Sequence, residues 1–193
     1  MNLLVLGPQG AGKGTQAKRI AVDYAIPHIS TGDMFRAAIA EQTELGKQVE
    51  PLLAAGTLVP DEVTVALIRE RLGHEDARRG FLLDGFPRNA AQAEALDDML
   101  DEIGRRLDAV LFLDLADDVA TDRMLLRAEE EGRPDDTPDA IARRLATYHA
   151  ETEPIVEHYR LTGNLVPLHA ERKINEVYAE IQDALSELED GRT

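Results

Sequence analysis

Short apolar runs alternate along this chain with longer stretches whose apolar positions recur every three or four residues. The runs cover residues 2–6, 81–84, 109–113 and 165–168, with a shorter extended segment at 27–30. They are too brief for helices and show no in-and-out alternation, which is the pattern of parallel strands buried on both faces. Helical spacing covers 13–24, 31–41, 45–55, 61–72, 90–103, 117–130, 139–159 and 174–188. Gly56 is placed to stop one helix, Asp61 to cap the next, and Pro154 to kink or break another. The polar stretch 131–138 contains a glycine and two prolines and is expected as an exposed loop; 189–193 is expected as a frayed tail. Five strands alternating with helices predict an α/β chain, a five-stranded parallel sheet with helices on both faces. The alternation is interrupted once. Three helical segments separate the second strand from the third, and an insertion of that kind caps the ligand edge of such a sheet.

Gly7-Pro8-Gln9-Gly10-Ala11-Gly12-Lys13-Gly14-Thr15 joins the first strand to the first helix. This is the phosphate-loop spacing G-x-x-x-x-G-K in the strand-to-helix setting that the motif needs. Its glycines let backbone N–H groups converge on an anion, the helix N-terminus adds partial positive charge, and Lys13 adds a full one. The plainer alternative is a glycine-rich connection without function. Four glycines and a lysine directly after a strand speak against it. The expected fold is thus of the P-loop NTPase type, and the expected ligand is a nucleotide polyphosphate. In the strict motif Ser or Thr follows the lysine, whereas here Gly14 intervenes before Thr15. A magnesium ion on the nucleotide is therefore expected to meet the protein mainly through water. Asp84, at the carboxyl end of the third strand, suits that ion or its waters; the alternative is a turn residue, since Asp-Gly is a common turn. Asp114 ends the next strand and reads more readily as a helix cap.

Apolar residues are 44% and charged residues 30%, enough for one domain with a sizeable core. The absence of Cys excludes disulfides and thiolate-bound zinc. The five histidines (28, 74, 149, 158 and 169) show no metal-ligand spacing and read as packing or surface residues. There are 37 acidic and 21 basic residues, a net charge of −16 that repels nucleic acid and anionic membranes. No apolar run approaches the ~20 residues of a bilayer span, and no basic segment precedes an apolar one at the N-terminus, so a cytoplasmic chain is expected.

Four segments, in order along nearly the whole chain, make this sequence similar to the adenylate kinase family in its bacterial short-lid form. They are the loop Gly7–Thr15 with Gly14 before the threonine; Ser30-Thr31-Gly32-Asp33-Met34-Phe35-Arg36; Asp84-Gly85-Phe86-Pro87-Arg88 with Gln92; and Asp122-Arg123, Arg127, Gly132-Arg133-Pro134-Asp135-Asp136 and Arg143-Arg144. The resemblance implies one domain over 1–193, with a core at 1–29, 60–125 and 138–193. It also implies a helical insert for the nucleoside monophosphate at 30–59 and a short lid at 126–137. The implied reaction is ATP + AMP = 2 ADP, with Mg2+ carried on the nucleotide, no zinc, and a monomeric enzyme. Catalytic roles are implied for Lys13, Arg88, Arg123, Arg133 and Arg144. ATP is expected at Gly10, Ala11, Gly12, Lys13, Gly14, Thr15, Arg123, Arg127 and Arg172. AMP is expected at Thr31, Arg36, Thr57, Leu58, Val59, Gly85, Arg88, Gln92, Arg133 and Arg144. Asp84, through water, and Thr15 are the candidates for magnesium, and the resemblance implies a cis bond before Pro87.

Transfer between two phosphates needs positioning and charge neutralisation more than acid–base chemistry, and arginine suits that task. The chain has 17 Arg and 4 Lys. Spacing alone leaves other readings for several of them. Arg123 and Arg127 fit a solvated helix face, with Glu131 four residues after Arg127; Arg143 has Asp139 at i−4, a structural pair, while Arg144 has no such partner. Residues 123–144 hold five arginines against six acids, so the fold must gather the cations. Three rival functions are a kinase for UMP, CMP or another monophosphate, a catalytically inactive nucleotide sensor, and a kinase for a non-nucleotide acceptor. Thr31 and Gln92 speak against the first, the complete set of cations against the second, and the Phe86-Pro87-Arg88 segment with Gln92 against the third. The surplus acid is expected to serve solubility in a salty medium, so molar potassium chloride should raise the melting temperature. Thermal unfolding with and without the salt checks this, and no gain in salt counts against it.

Overall fold

The computed structural model describes residues 1–133 and 135–190. Pro134 of the expected loop and residues 191–193 of the expected tail lie outside the described residues. Among the described residues the five strands are β1 (Asn2–Leu6), β2 (His28–Ser30), β3 (Phe81–Asp84), β4 (Ala109–Asp114) and β5 (Leu165–His169). They form one parallel sheet in the order β2-β3-β1-β4-β5. Parallel pairing explains the unbroken apolar runs, because both faces are covered. On one face Leu3, Val5 and Leu111 pack against helices α1 (Lys13–Asp23), α6 (Asp117–Glu131), α7 (Pro138–Thr147) and α9 (Ile174–Asp190). On the other, Leu4, Leu6, Leu83 and Val110 meet α4 (Asp61–Leu72), α5 (Ala90–Glu102) and α8 (Glu153–Leu161). Neighbouring residues of β1 thus serve opposite cores, as the period of a strand requires.

Helices α2 (Thr31–Ala40) and α3 (Glu44–Ala55) fill the expected insertion. They enclose a small apolar cluster around Phe35, Val49 and Val59 that continues onto Val63 and Leu67 of α4. Side-chain caps mark where these helices begin. Ser30 accepts from the Asp33 N–H, Thr43 from Gly46, Asn89 from Gln92 and Thr137 from Ala140. Pro138 then occupies the first turn of α7, where its missing N–H costs nothing.

Four expectations need correction. Asp61 does not cap α4: Pro60 holds that position and Asp61 lies in the first turn, so its carboxylate is free to reach sideways. Asp114 does not cap α6, whose N-cap is Ala116 with no side-chain bond; Asp114 is exposed and accepts through its backbone from the Ala170 N–H. The single helix expected over 139–159 is divided by a π-helical turn, Tyr148–Thr152, and Pro154 sits in the first turn of α8, just after it. The last helix also continues to Asp190, past the expected frayed boundary.

Leu83 is fully buried in β3, which pairs with β1 on one side and β2 on the other. Leu83→Ala is expected to lower the unfolding free energy by about 2–5 kcal/mol, read from urea denaturation.

Candidate active site

β1 is the central strand, and its neighbours β3 and β4 lie on opposite sides of it. The crevice above such a switch in strand order is where open α/β sheets bind ligands. A cleft of about 1010 Å³ opens there. It is lined by Gly10–Thr15, Thr31, Arg36, Thr57–Val59, Asp84, Gly85, Arg88, Gln92, Arg123, Arg127, Arg133, Arg144 and Arg172. Every residue expected at a nucleotide or metal site therefore borders the same space.

The phosphate loop leaves β1 and enters α1 through Gly12, which takes left-handed backbone angles at the N-cap (φ 85°). Gly10 has φ +85°, and a Cβ there would fall 2.6 Å from the Ala120 carbonyl oxygen, so the loop can lie close to α6 only with glycine at that point. Lys13 Nζ donates to the Gly7 and Pro8 carbonyls, each at 2.7 Å, and holds the loop curled. Asp84, level with Val5 of β1 and Ser30 of β2, sits beside the loop: a Cβ on Gly14 would be 3.8 Å from its Oδ2. That oxygen also lies 3.2 Å from His28 Nε2, both side chains being largely buried. Thr15 is exposed at the start of α1.

Arg88 is fixed at three points at the other end of the cleft. Its Nε donates to the Gly85 carbonyl at 2.7 Å, its backbone N–H to Gln92 Oε1 at 2.8 Å, and its carbonyl accepts from the Thr152 hydroxyl at 2.7 Å. The Phe86–Pro87 peptide is cis. Gly85 has φ +79°, and a Cβ there would fall 2.7 Å from Thr31 Oγ1, the hydroxyl that donates to the Gly85 carbonyl at 2.9 Å. Arg36 pairs with Asp33 at 2.6 Å. Burial works against charge on Asp33, yet Arg36 outweighs it and holds the carboxyl below the usual range.

The remaining arginines converge from α6, α7 and the loop between them. Asp136, whose side chain is 0% exposed, lies between Arg127 (2.7 Å) and Arg144 (2.6 Å), and Asp135 takes a second Arg144 nitrogen at 2.6 Å. Burial opposes charge on Asp135, but the Arg144 guanidinium prevails and keeps the carboxyl below its ordinary value. Arg133 pairs with Glu131 at 2.6 Å. Arg123 donates to the Ala170 and Glu171 carbonyls, and Arg172 lies 3.5 Å from Glu180.

These contacts replace two pairings expected from helical spacing. Arg127 meets Asp136 rather than Glu131, and Arg143 donates to the Ala55 carbonyl rather than pairing with Asp139. Arg144, which had no partner at i−4, has two acids at i−8 and i−9. In the sequence Asp135 and Asp136 belong to the resemblance without an individual role, Asp61 reads only as a cap, and Thr152 carries no signal. Asp135-Asp136 beside Gly132-Arg133 was the visible signal, but a partner across a loop leaves no helical periodicity.

The sequence model of the family described as "Adenylate kinase" matches residues 5–164. The adenylate kinase of Cyanothece sp. (strain PCC 7425) is 48% identical over 96% of this chain and 95% of its own length. That of Bifidobacterium longum (strain NCC 2705) is 49% identical, covering 94% and 97% respectively. The chain belongs to the adenylate kinase family. As a member of the adenylate kinases, it is a phosphotransferase that acts on nucleotides. The adenylate kinase of Bacillus subtilis (strain 168), 41% identical, aligns over 215 positions, more than this chain possesses, so that relative carries residues missing here.

Lys13 is pulled from the usual lysine range to about 8, chiefly by burial; Asp84 works against the shift, and Arg88 and Arg127 add to it. An anion needs the protonated form. That form predominates below about pH 8 and is lost as pH rises through it. ADP affinity without metal is expected to fall about tenfold between about pH 7 and pH 9, by isothermal titration calorimetry. Lys13→Met should bind weakly with little pH dependence over that range.

Proposed function

We propose that this cleft transfers the terminal phosphoryl group of ATP to the phosphate of AMP, giving two ADP. The observation that carries the proposal is the meeting of a phosphate loop, Arg88 and the arginines of α6 and α7 around one space. The space is at the upper end of ordinary ligand pockets and large enough for two nucleotides end to end. ATP phosphates lie along Gly10–Thr15, with Lys13, Arg123 and Arg127 facing them and Arg172 near the base. AMP lies against Thr31, Thr57–Val59 and Gln92, its phosphate between Arg36 and Arg88. Arg133 and Arg144 reach the oxygens between the two nucleotides.

The attacking atom is an AMP phosphate oxygen already ionised near neutral pH. It displaces ADP from the terminal phosphorus of ATP, and no proton has to move in that step. The protein's contribution is alignment together with neutralisation of the charge spread over the transferred oxygens. Segments 30–59 and 126–137 are the covers that exclude water, which would otherwise accept the phosphoryl group.

The residues present fit a magnesium ion brought in by the nucleotide. Asp84 presents a carboxylate beside Gly14, and Thr15 an exposed hydroxyl. Among the described residues no three metal-ligating side chains converge, so phosphate and water must complete the coordination sphere. When bound, the ion supplies neutralisation of the phosphate oxygens.

The same reading makes the chain a cytoplasmic monomer. No described helix is long and apolar enough to cross a membrane, and Val22, Ile103, Leu161 and Ile174 are exposed singly, while of the adjoining exposed pair Leu125 and Leu126 on α6 the second borders the cleft. Phosphorus NMR of ADP with magnesium tests the reaction: equal amounts of ATP and AMP are expected once the protein is added. Unchanged ADP would contradict the proposal, and AMP with free phosphate would mean hydrolysis instead.

A further inference from the structure

Gln92 borders the AMP end of the cleft and is only 2% exposed. Its two amide atoms cannot be interchanged. Oε1 accepts the Arg88 backbone N–H, a group that can only donate. Nε2 donates to Asp61 Oδ1 at 2.7 Å, and a carboxylate can only accept. Turning the amide over would set N–H against N–H at Arg88 and oxygen against carboxylate at Asp61. Asn89 closes the circuit. Its Nδ2 donates to the same Asp61 oxygen at 2.9 Å, while its Oδ1 accepts the Gln92 backbone N–H at 2.9 Å. Asp61 is free for this because it lies in the first turn of α4 rather than at the cap, two residues after segment 30–59.

Each Gln92 amide atom has one position left, a second lone pair on Oε1 and a second proton on Nε2. A 6-aminopurine offers a donor at N6 beside an acceptor at N1. A 6-oxopurine offers the reverse, an oxygen beside an N1–H. A glutamine free to turn over serves either base, whereas one with fixed orientation serves a single pattern, and the mismatched base leaves buried polar groups unpaired.

We propose that Asp61 is a specificity-determining residue: together with the Arg88 N–H it fixes the Gln92 amide in the orientation that takes a 6-amino base and refuses a 6-oxo one. Asp61 acts through Gln92 and is a positioning residue. This inference rests on the AMP site described under Proposed function.

IMP is the probe, because it differs from AMP at the 6-oxo edge. Asp61→Asn keeps the shape of the side chain but can offer an N–H to a turned-over Gln92, which removes one of the two clashes that the turn makes and leaves the one at Arg88. The ratio of kcat/KM for AMP to that for IMP should fall about tenfold, equivalent to about 1.4 kcal/mol, with KM for ATP unchanged. A merely structural role would depress both acceptors alike, and an unaltered ratio would overturn the proposal. Should the variant not fold, the unmodified chain decides the matter. Its Gln92 side-chain 15N resonance, assigned through Gln92→Glu, should show one amide proton protected from exchange, and two equivalent fast-exchanging protons would overturn the lock. A wild-type chain that makes no ATP from ADP overturns the functional reading and this inference with it. An active wild type with an unaltered ratio in the variant overturns only the role of Asp61.

Discussion

Cations gathered around one cleft repel one another, and much of the architecture answers that problem. Lys13, Arg36, Arg88, Arg123, Arg127, Arg133 and Arg144 border one cleft. Carboxylates hold four of them: Asp33 for Arg36, Asp136 for Arg127, Glu131 for Arg133, and Asp135 with Asp136 for Arg144. Backbone carbonyls hold the other three. The pairing keeps each guanidinium close to one orientation, so less freedom is lost when a ligand binds. It also gives part of the chain's acidity a local purpose. Asp136 is buried between two arginines, where loss of one partner leaves charge uncompensated.

Most of the fold was legible because its signals are local. A buried parallel strand shows itself as an unbroken apolar run, and a phosphate loop as glycines and a lysine between strand and helix. Ser30, Thr43, Asn89 and Thr137 stand where caps belong. The order of the strands and the gathering of all the expected site residues around one cleft are properties of the folded chain that no local signal carries, although the alternation already implies a sheet with its ligands at one edge.

What escaped the sequence shares a physical cause. Ion pairs on one helix repeat at three or four residues, and spacing therefore offered Glu131 to Arg127 and Asp139 to Arg143. The partners taken instead, Asp136 and the Ala55 carbonyl, come from a loop and from another helix. Acids favour a cap, which is how Asp61 reads in the sequence, yet it lies one residue further along the helix and its carboxylate meets Gln92 of α5. The π-helical turn before Pro154 likewise depends on how α7 and α8 meet the core, as does the bond from Thr152 to the Arg88 carbonyl.

Arg143 and Arg144 reach from α7 to the carbonyls of Ala55 and Leu53, the final turn of α3. Those carbonyls lie at the negative end of that helix, where Leu53 also accepts from the Gly56 N–H of the cap. Arg144 meanwhile holds Asp135 and Asp136 in the loop between α6 and α7. One side chain thus belongs to both margins of the cleft, and neither margin can shift relative to α7 without altering what the other holds. A ligand that draws Arg144 from Leu53 loosens α3. By the reciprocity of binding free energies, a ligand that pulls α3 away releases Arg144 by the same amount.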